Sequence, residues 1–147
     1  MRIMALDLGI KKIGVALSDP LGYTAQGLKS ISAKGTAGEN IEAIRQIALE
    51  NEVTMIVVGL PKNMDGRPGF QAEKARDFAG RLEEALNLPV EMWDERLTTV
   101  ASEKLLIEAG VSRARRRQVI DQMSAVLILQ GYLDYRVNRN NSGRTNR

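Results

Sequence analysis

The sequence contains neither cysteine nor histidine, and these two absences exclude several kinds of chemistry. Without cysteine there is no disulfide framework, no thiolate zinc site and no thiol nucleophile. Without histidine the commonest general base and the usual zinc ligand are missing. Any catalysis must therefore use carboxylates, hydroxyls, lysines or a bound metal, and oxygen ligands favour hard ions such as Mg²⁺ or Mn²⁺.

Aromatic residues and long apolar runs are also scarce. The chain has two Phe, one Trp and three Tyr, so we expect Trp93 in the core and no aromatic platform on which bases would stack. No apolar run reaches the ~18 residues that a membrane span needs. No signal peptide is expected, because Asp7 falls where its apolar region would lie. We therefore expect a cytoplasmic protein with no membrane partner.

Basic residues are unevenly distributed along the 147-residue chain, which has a net charge of +3 and a pI near 9.4. One cluster lies in the second half and another near the C-terminus: Arg113, Arg115, Arg116 and Arg117, then Arg136, Arg139, Arg144 and Arg147. Such clusters favour a polyanionic partner through counterion release. A solvated basic surface explains the charge equally well, so charge alone does not decide.

The order of predicted elements indicates a single α/β domain. Apolar runs predict strands at about 2–8, 13–18, 24–31, 55–58 and 89–93. Capping signals and helical stripes predict four helices. The first is capped by Thr36, the second has Ala75 and Leu82 on its apolar face, the third runs from Thr98 or Thr99 to Gly110, and the fourth runs from about Arg117 to Val137. This order predicts a mixed five-stranded sheet with helices on both faces, formed by residues 1–137. The basic residues 138–147 are expected to be a disordered tail.

Carboxylates stand at the ends of two predicted strands. Asp7 ends the first strand, where the period of two places it on the same face as Ile3 and Ala5. Asp94 and Glu95 end the last strand and point to opposite sides, and periodicity does not say which of them joins Asp7. An unpaired buried carboxylate is costly, so these residues need a cation, hydrogen-bond donors or a catalytic role.

A third carboxylate, Asp121, lies on the last predicted helix. Its neighbours on the same helical face are Ser124, Ala125 and Ile128, a small and largely apolar stripe that allows close approach to a sheet. Each acid alone has an ordinary explanation, as a turn former or as the partner of an arginine. Together, in a chain without histidine, the three positions favour a metal site. Two hard cations about 3.5–4 Å apart can stabilise the transferring phosphoryl group and generate a nucleophile from water.

Four segments, in order, resemble the YqgF family, also called RuvX-like. They are Leu6-Asp-Leu-Gly-Ile-Lys-Lys-Ile-Gly-Val-Ala-Leu-Ser-Asp19, Val58-Gly-Leu-Pro-Lys-Asn-Met-Asp-Gly66, Asp94-Glu-Arg-Leu-Thr-Thr99 and Ile120-Asp-Gln-Met-Ser-Ala-Val-Leu-Ile-Leu129. The resemblance implies a ribonuclease-H-like fold and a nuclease. Members have been described as Holliday-junction resolvases and as nucleases that process the 5′ end of precursor small-subunit ribosomal RNA.

The resemblance also implies the site residues. Asp7, Glu95 and Asp121 would be the catalytic acids that bind Mg²⁺ or Mn²⁺, and Glu95 is preferred to Asp94 on this ground alone. The expected partner is structured RNA or branched DNA, bound by a monomer or a weak homodimer. Nearby polar residues are candidates for contacting it: Lys11, Lys12, Lys62, Asn63, Arg67, Arg96, Arg113, Arg115, Arg116 and Arg117. Lys11 and Lys12 also suit an ordinary hairpin tip, and Arg96 could simply balance its acidic neighbours.

Several functions stay open. Processing of the 5′ end of pre-16S rRNA is the expected activity, with Holliday-junction resolution as the alternative. A non-catalytic nucleic-acid-binding protein could keep the same acids for stability or metal-assisted docking. The Asp-Leu-Gly turn also resembles the first phosphate loop of sugar kinases, actin and Hsp70 chaperones. Those folds need a second phosphate loop and an adenosine pocket, and this chain is too short to show them.

Overall fold

The structure, a computed structural model, describes residues 2–9, 11–60, 70–94 and 107–145. These ranges contain five strands: β1 (Arg2–Leu8), β2 (Lys12–Ser18), β3 (Ala25–Ser32), β4 (Val53–Leu60) and β5 (Val90–Asp94). They also contain three long helices: α1 (Ala37–Glu50), α2 (Phe70–Leu86) and α3 (Arg113–Thr145). The five predicted strands are confirmed, with bounds that differ by no more than a few residues.

The strands form one mixed sheet in the order β3-β2-β1-β4-β5. β2 is antiparallel to both β1 and β3, whereas β1, β4 and β5 are mutually parallel neighbours. Parallel strands end on the same edge of a sheet, so the carboxyl ends of β1, β4 and β5 lie together. This edge carries Asp7 and the end of β5.

Helices α1 and α2 cover one face of the sheet. The Thr36 hydroxyl caps α1 by accepting the Glu39 N–H at 3.2 Å, as the capping motif predicts. The buried stripes of α1 and α2 pack against alternate residues of β1 and β4, including Met4, Leu6 and Val58. This cluster is entirely apolar, which explains why β1 has aliphatic side chains at every second position.

Helix α3 covers the opposite face. Its buried stripe consists of Ala125, Ile128, Leu129, Tyr132 and Leu133, packed against Ile3, Ala5, Ala16 and Val57. The approach is close, since a methyl group added to Gly27 of β3 would lie 3.2 Å from a Val126 methyl carbon. The Gln130 carboxamide also accepts the Ala25 N–H and donates to the Tyr23 carbonyl, each at 3.2 Å. Helices on both faces were predicted, and this prediction is confirmed.

The last helix is longer than the sequence suggests. It begins at Arg113 rather than near Arg117 and continues to Thr145, so residues 138–145 are helical although disorder was expected there. A domain limited to residues 1–137 stays a prediction. The helix expected after Thr98 falls mainly on residues 95–106, which lie outside the described part of the chain. Its expected end is Gly110. This glycine has a left-handed φ of 76°, which suits the end of a helix. Within the described ranges no helix is both long and apolar enough to cross a membrane.

Candidate functional site

Asp7 lies at the carboxyl end of β1, half-buried, on the face covered by α3. On one side, Asp7 pairs with Gly14 of β2. On the other side, Leu6 pairs with Val58, so the next residue of β4, Gly59, is the neighbour of Asp7. Both strands beside Asp7 therefore place a glycine next to it. The missing side chains leave space over the carboxylate that any other residue would fill.

Helix α3 closes one side of this space. A methyl group built on Gly14 would lie 3.4 Å from the Cβ atoms of both Asp7 and Ala125. A methyl group at Gly14 would thus make ordinary van der Waals contacts with both residues and would occupy the space between Asp7 and α3. A glycine inside a strand often marks a close approach of this kind, so the sequence contains a signal for Gly14, which is not among the predicted site residues.

Asp121 lies on α3 one helical turn before Ala125, on the same side of the helix. Further along, the Tyr132 hydroxyl contacts the Met55 sulfur at 3.6 Å near the start of β4. The helix thus runs from the carboxyl edge of the parallel strands toward their amino edge, and Asp121 belongs to the turn at the carboxyl edge. Its side chain lies outside the described residues, so its role beside Asp7 stays a prediction.

Strand alternation gives the face of Asp94, the first of the two adjacent acids at the end of β5. Val90 and Met92 pack with α1 and α2, whereas Trp93 packs with α3. Asp94 therefore takes the face of Met92, opposite to that of Asp7. Glu95 is outside the described residues. Among the described residues, no three acidic side chains are grouped closely enough to hold a metal ion, so the expected set of three carboxylates stays a prediction.

The first turn of α3 carries the arginine cluster. The Ser112 hydroxyl caps this turn by accepting the Arg115 N–H at 3.3 Å, and the turn contains no acidic residue. A cation at a helix N-terminus opposes the helix dipole and lowers the stability of the helix by about 0.3–1 kcal/mol. The arginines are therefore poorly placed for stability, which favours a binding role. Arg113 and Arg115 are exposed; only the backbone is described for Arg116 and Arg117.

The remaining basic candidates divide into two groups. Lys11 and Lys12 are exposed in the turn that follows Asp7. Their backbones are fixed, since the Lys12 carbonyl accepts the Gly9 N–H at 3.0 Å and the Lys11 carbonyl accepts the Ala33 N–H at 2.9 Å. The second group lies outside the described residues and consists of Lys62, Asn63, Arg67 and Arg96.

Another aspartate, Asp19, has a structural role at the opposite edge of the sheet. Its carboxylate accepts the backbone N–H groups of Thr24, Tyr23 and Leu21, and these hydrogen bonds, that of Thr24 first, lower its pKa. The carboxylate stabilises the turn between β2 and β3. It is remote from Asp7 because β2 runs antiparallel to β1.

Comparison with known proteins identifies the family. Residues 1–135 match the family described as RuvX: Holliday junction resolvase. The chain belongs to the RuvX family. A relative from Pelotomaculum thermopropionicum, 65% identical over 91% of this chain and 87% of its own length, is named "Putative pre-16S rRNA nuclease". A relative from Moorella thermoacetica, 56% identical over 91% and 95%, carries the same name. Nuclease activity is common to both descriptions.

Solved structures identify the fold of this RuvX-family chain. RuvC of Thermus thermophilus matches with a TM-score of 0.55 and 13% identity, over 94% of this chain and 97% of that chain. T. thermophilus RuvC in complex with a Holliday junction substrate matches with a TM-score of 0.54 and 17% identity, over 93% and 96%. At this identity the likeness concerns the fold alone. The predicted ribonuclease-H-like fold is thereby confirmed.

Proposed function

We propose that this RuvX-family protein is a divalent-metal-dependent nuclease whose catalytic acids are Asp7, Glu95 and Asp121. The observation that carries the proposal is the setting of Asp7. Its carboxylate lies at the carboxyl edge of the parallel strands, between two glycines, on the face where α3 approaches β2 at Ala125. An aliphatic core has no need of an acid at this point, whereas a cation and a phosphate need both the charge and the space.

The residues of the site fit a hard divalent ion. Carboxylate oxygens are the ligands that Mg²⁺ and Mn²⁺ prefer, and the chain offers no thiol or imidazole to compete for a softer metal. When bound, one or two such ions would supply positive charge to the phosphodiester and lower the pKa of water. Asp7 is held by a central strand and Asp121 by a helix packed on that strand, so neither position depends on a loop.

Glu95 completes the proposed set. Asp94 takes the opposite face of β5, while Trp93, one residue earlier, takes the face of Asp7. Glu95 is preferred because the family resemblance assigns the third acid to it, and because Asp94 faces away from Asp7.

The basic residues would hold the phosphates next to the cleaved bond. Lys11 and Lys12 follow Asp7 directly, and Arg113 and Arg117 continue the helical face of Asp121 toward the N-terminus of α3. Contacts of this kind fix the position of a nucleic acid without reading its sequence. The same role is proposed for Arg115, Arg116, Lys62, Asn63, Arg67 and Arg96.

Precursor small-subunit ribosomal RNA is the proposed substrate, cleaved near its 5′ end in the cytoplasm. The names of relatives at 55–65% identity support this choice. The family description supports a second candidate, a Holliday junction. Symmetric cutting of a junction would need two sites related by a two-fold axis, and hence a homodimer. Trimming one RNA strand needs only a monomer.

A direct experiment separates these activities. Purified protein is incubated with a pre-16S rRNA fragment or a four-way DNA junction, with Mn²⁺ or with a chelator. We expect metal-dependent cleavage of the RNA. Asp7→Asn should lower the rate at least about a hundredfold, because it removes a charge that the transition state needs, and should leave the melting temperature nearly unchanged.

The matched control is Asp77→Asn, since Asp77 is exposed on α2, on the other side of the sheet. It should cleave like the wild type. Cleavage by Asp7→Asn at the wild-type rate would remove this mechanism. Binding of RNA and junction without cleavage of either, with metal present, would instead favour a non-catalytic binding protein.

A further inference from the structure

Three of the six aromatic residues meet beside β5. The Trp93 ring lies 6.0 Å from that of Tyr132, edge to face, and 5.8 Å from that of Tyr135. Tyr132 is 7% exposed and belongs to the core, whereas Tyr135 is 51% exposed. Trp93 therefore packs on the core at Tyr132, and its ring also contacts the exposed Tyr135.

At this point the side of α3 that faces the sheet changes from apolar to partly basic. Its buried residues through Leu133 contact the sheet, but the next positions on the same side of the helix include Tyr135, Arg136 and Arg139. The charges of these arginines affect the pKa of Tyr132. Burial raises the pKa of Tyr132 to about 12, helped by a hydrogen bond with Glu91, whereas the charges of Arg136 and Arg139 act in the opposite direction. Tyr135, Arg136 and Arg139 follow Tyr132 by three, four and seven residues, so they lie on the side of α3 that carries the aromatic cluster.

The charge beside Tyr135 favours an anionic partner. Two positive charges, Arg136 and Arg139, and one negative charge, Glu91, act on Tyr132. Asp134 lies on another side of the helix, where the Gln130 amide donates to it at 3.0 Å. Among the described residues, neither Arg136 nor Arg139 has a carboxylate within 4.0 Å. An exposed tyrosine next to two cations provides a surface for a base and its phosphates.

The position of this surface connects it to the candidate site. β5 is the edge strand of the described sheet, on the side next to β4. Asp7 and Trp93 share the α3 face and are separated by two strand spacings, roughly 10 Å. The residue between them is Gly59, which has no side chain to block a path across the sheet.

We propose that Tyr135, Arg136 and Arg139 bind a single-stranded segment of nucleic acid continuous with the strand cleaved at Asp7. A base stacks on Tyr135, and the two guanidinium groups contact the phosphates on either side. Because a base inside a duplex cannot stack on a side chain, the surface selects single-stranded flanks. The link to cleavage depends on the proposed nuclease function, while the binding itself does not.

Binding is measured on an Asp7→Asn background without divalent metal, so that a failure of the nuclease proposal does not affect the result. The probe is a short fluorescent single-stranded RNA, compared with single-stranded DNA of the same sequence and with duplex RNA. Tyr135→Ala should weaken binding of both single strands about tenfold and leave duplex binding unchanged. Tyr135→Phe should bind like the parent protein. Arg139→Gln should weaken binding and reduce its dependence on salt concentration.

The matched control is Tyr23→Ala, since Tyr23 is also exposed, at 63%, but lies before β3 at the other edge of the sheet. It should bind like the parent protein. Trp93, the chain's single tryptophan, provides a second signal, because a base on Tyr135 should quench its fluorescence. Unchanged single-strand affinity in Tyr135→Ala, or equal losses in Tyr135→Ala and Tyr23→Ala, would overturn the proposal. So would a Tyr135→Ala effect confined to self-association, measured by sedimentation, which would assign the surface to a second copy of the chain.

Discussion

The two faces of the sheet are built from alternate residues of the same strands, but they differ in what fills them. On the face of α1 and α2, β1 contributes Met4 and Leu6, both fully buried among aliphatic side chains. On the face of α3, the same strand contributes Ile3, Ala5 and then Asp7, with glycines beside the carboxylate. One face is filled to the edge of the sheet, and the other leaves space there.

This difference indicates how the fold combines stability with a binding site. The filled face can supply most of the burial free energy, at about 1.5–3 kcal/mol for each large aliphatic side chain. The other face has small residues where α3 crosses β1 and β2, so that a helix and a carboxylate come close together. Substitutions on the two faces should therefore separate stability from activity.

The largest expected effect concerns the acids at the end of β5. Glu95→Gln should reduce kcat/KM at least about a hundredfold, because it removes a proposed metal ligand. Asp94→Asn, one residue away on the filled face, should stay within about threefold of the wild type. Both are measured by RNA cleavage in Mn²⁺ at concentrations below KM. The opposite pattern, with Asp94→Asn inactive and Glu95→Gln active, would show that the strand does not alternate as described.

The next effect is on stability and concerns Leu6, the neighbour of Asp7 on the filled face. Leu6→Ala should lower the free energy of unfolding by about 2–5 kcal/mol, through lost burial and the cavity that remains. Denaturant titration measures this loss. At temperatures where the variant stays folded, its cleavage rate should be within about twofold of the wild type. If cleavage were abolished in the folded variant, the two faces would not be independent.

The smallest expected effect concerns the space beside Asp7. Gly14→Ala places a methyl group 3.4 Å from the Cβ atoms of Asp7 and Ala125, so stability should change by no more than about 1 kcal/mol. Cleavage should fall about tenfold, equivalent to 1.4 kcal/mol, because the methyl group reduces the space over the carboxylate. Gly80→Ala is the control, since no atom lies within 4 Å of the added methyl group. Equal activity in both variants would contradict a role for this space.

The strands and the position of Asp7 at the end of β1 could be predicted because their signals are local. An aliphatic strand that ends in a carboxylate is visible in the sequence, and so is the capping motif at Thr36. The face taken by Asp94 had no local signal, because β5 has apolar residues on both faces. Only the packing of Met92 on one face and Trp93 on the other indicates it.

The ends of α3 could not be predicted for a different reason. Arginines are unfavourable in the first turn of a helix, so the expected start was placed too late, although Ser112 was available as a cap. The exposure of Tyr135 depends on where α3 passes the edge of the sheet. The point at which α3 passes this edge depends on the number of strands and on the angle at which the helix crosses them. The apolar stripe of the helix specifies neither the number nor the angle.

The length of α3 has a mechanical consequence. Its 33 residues span roughly 50 Å, about twice the ~23 Å of a seven-residue strand, so the helix overhangs the sheet. Its buried residues, from Ala125 to Leu133, cover only about 12 Å of this length. The remaining roughly 18 Å from Leu133 to Thr145 therefore extend the reach of the domain beyond its core and carry Arg136 and Arg139 with them.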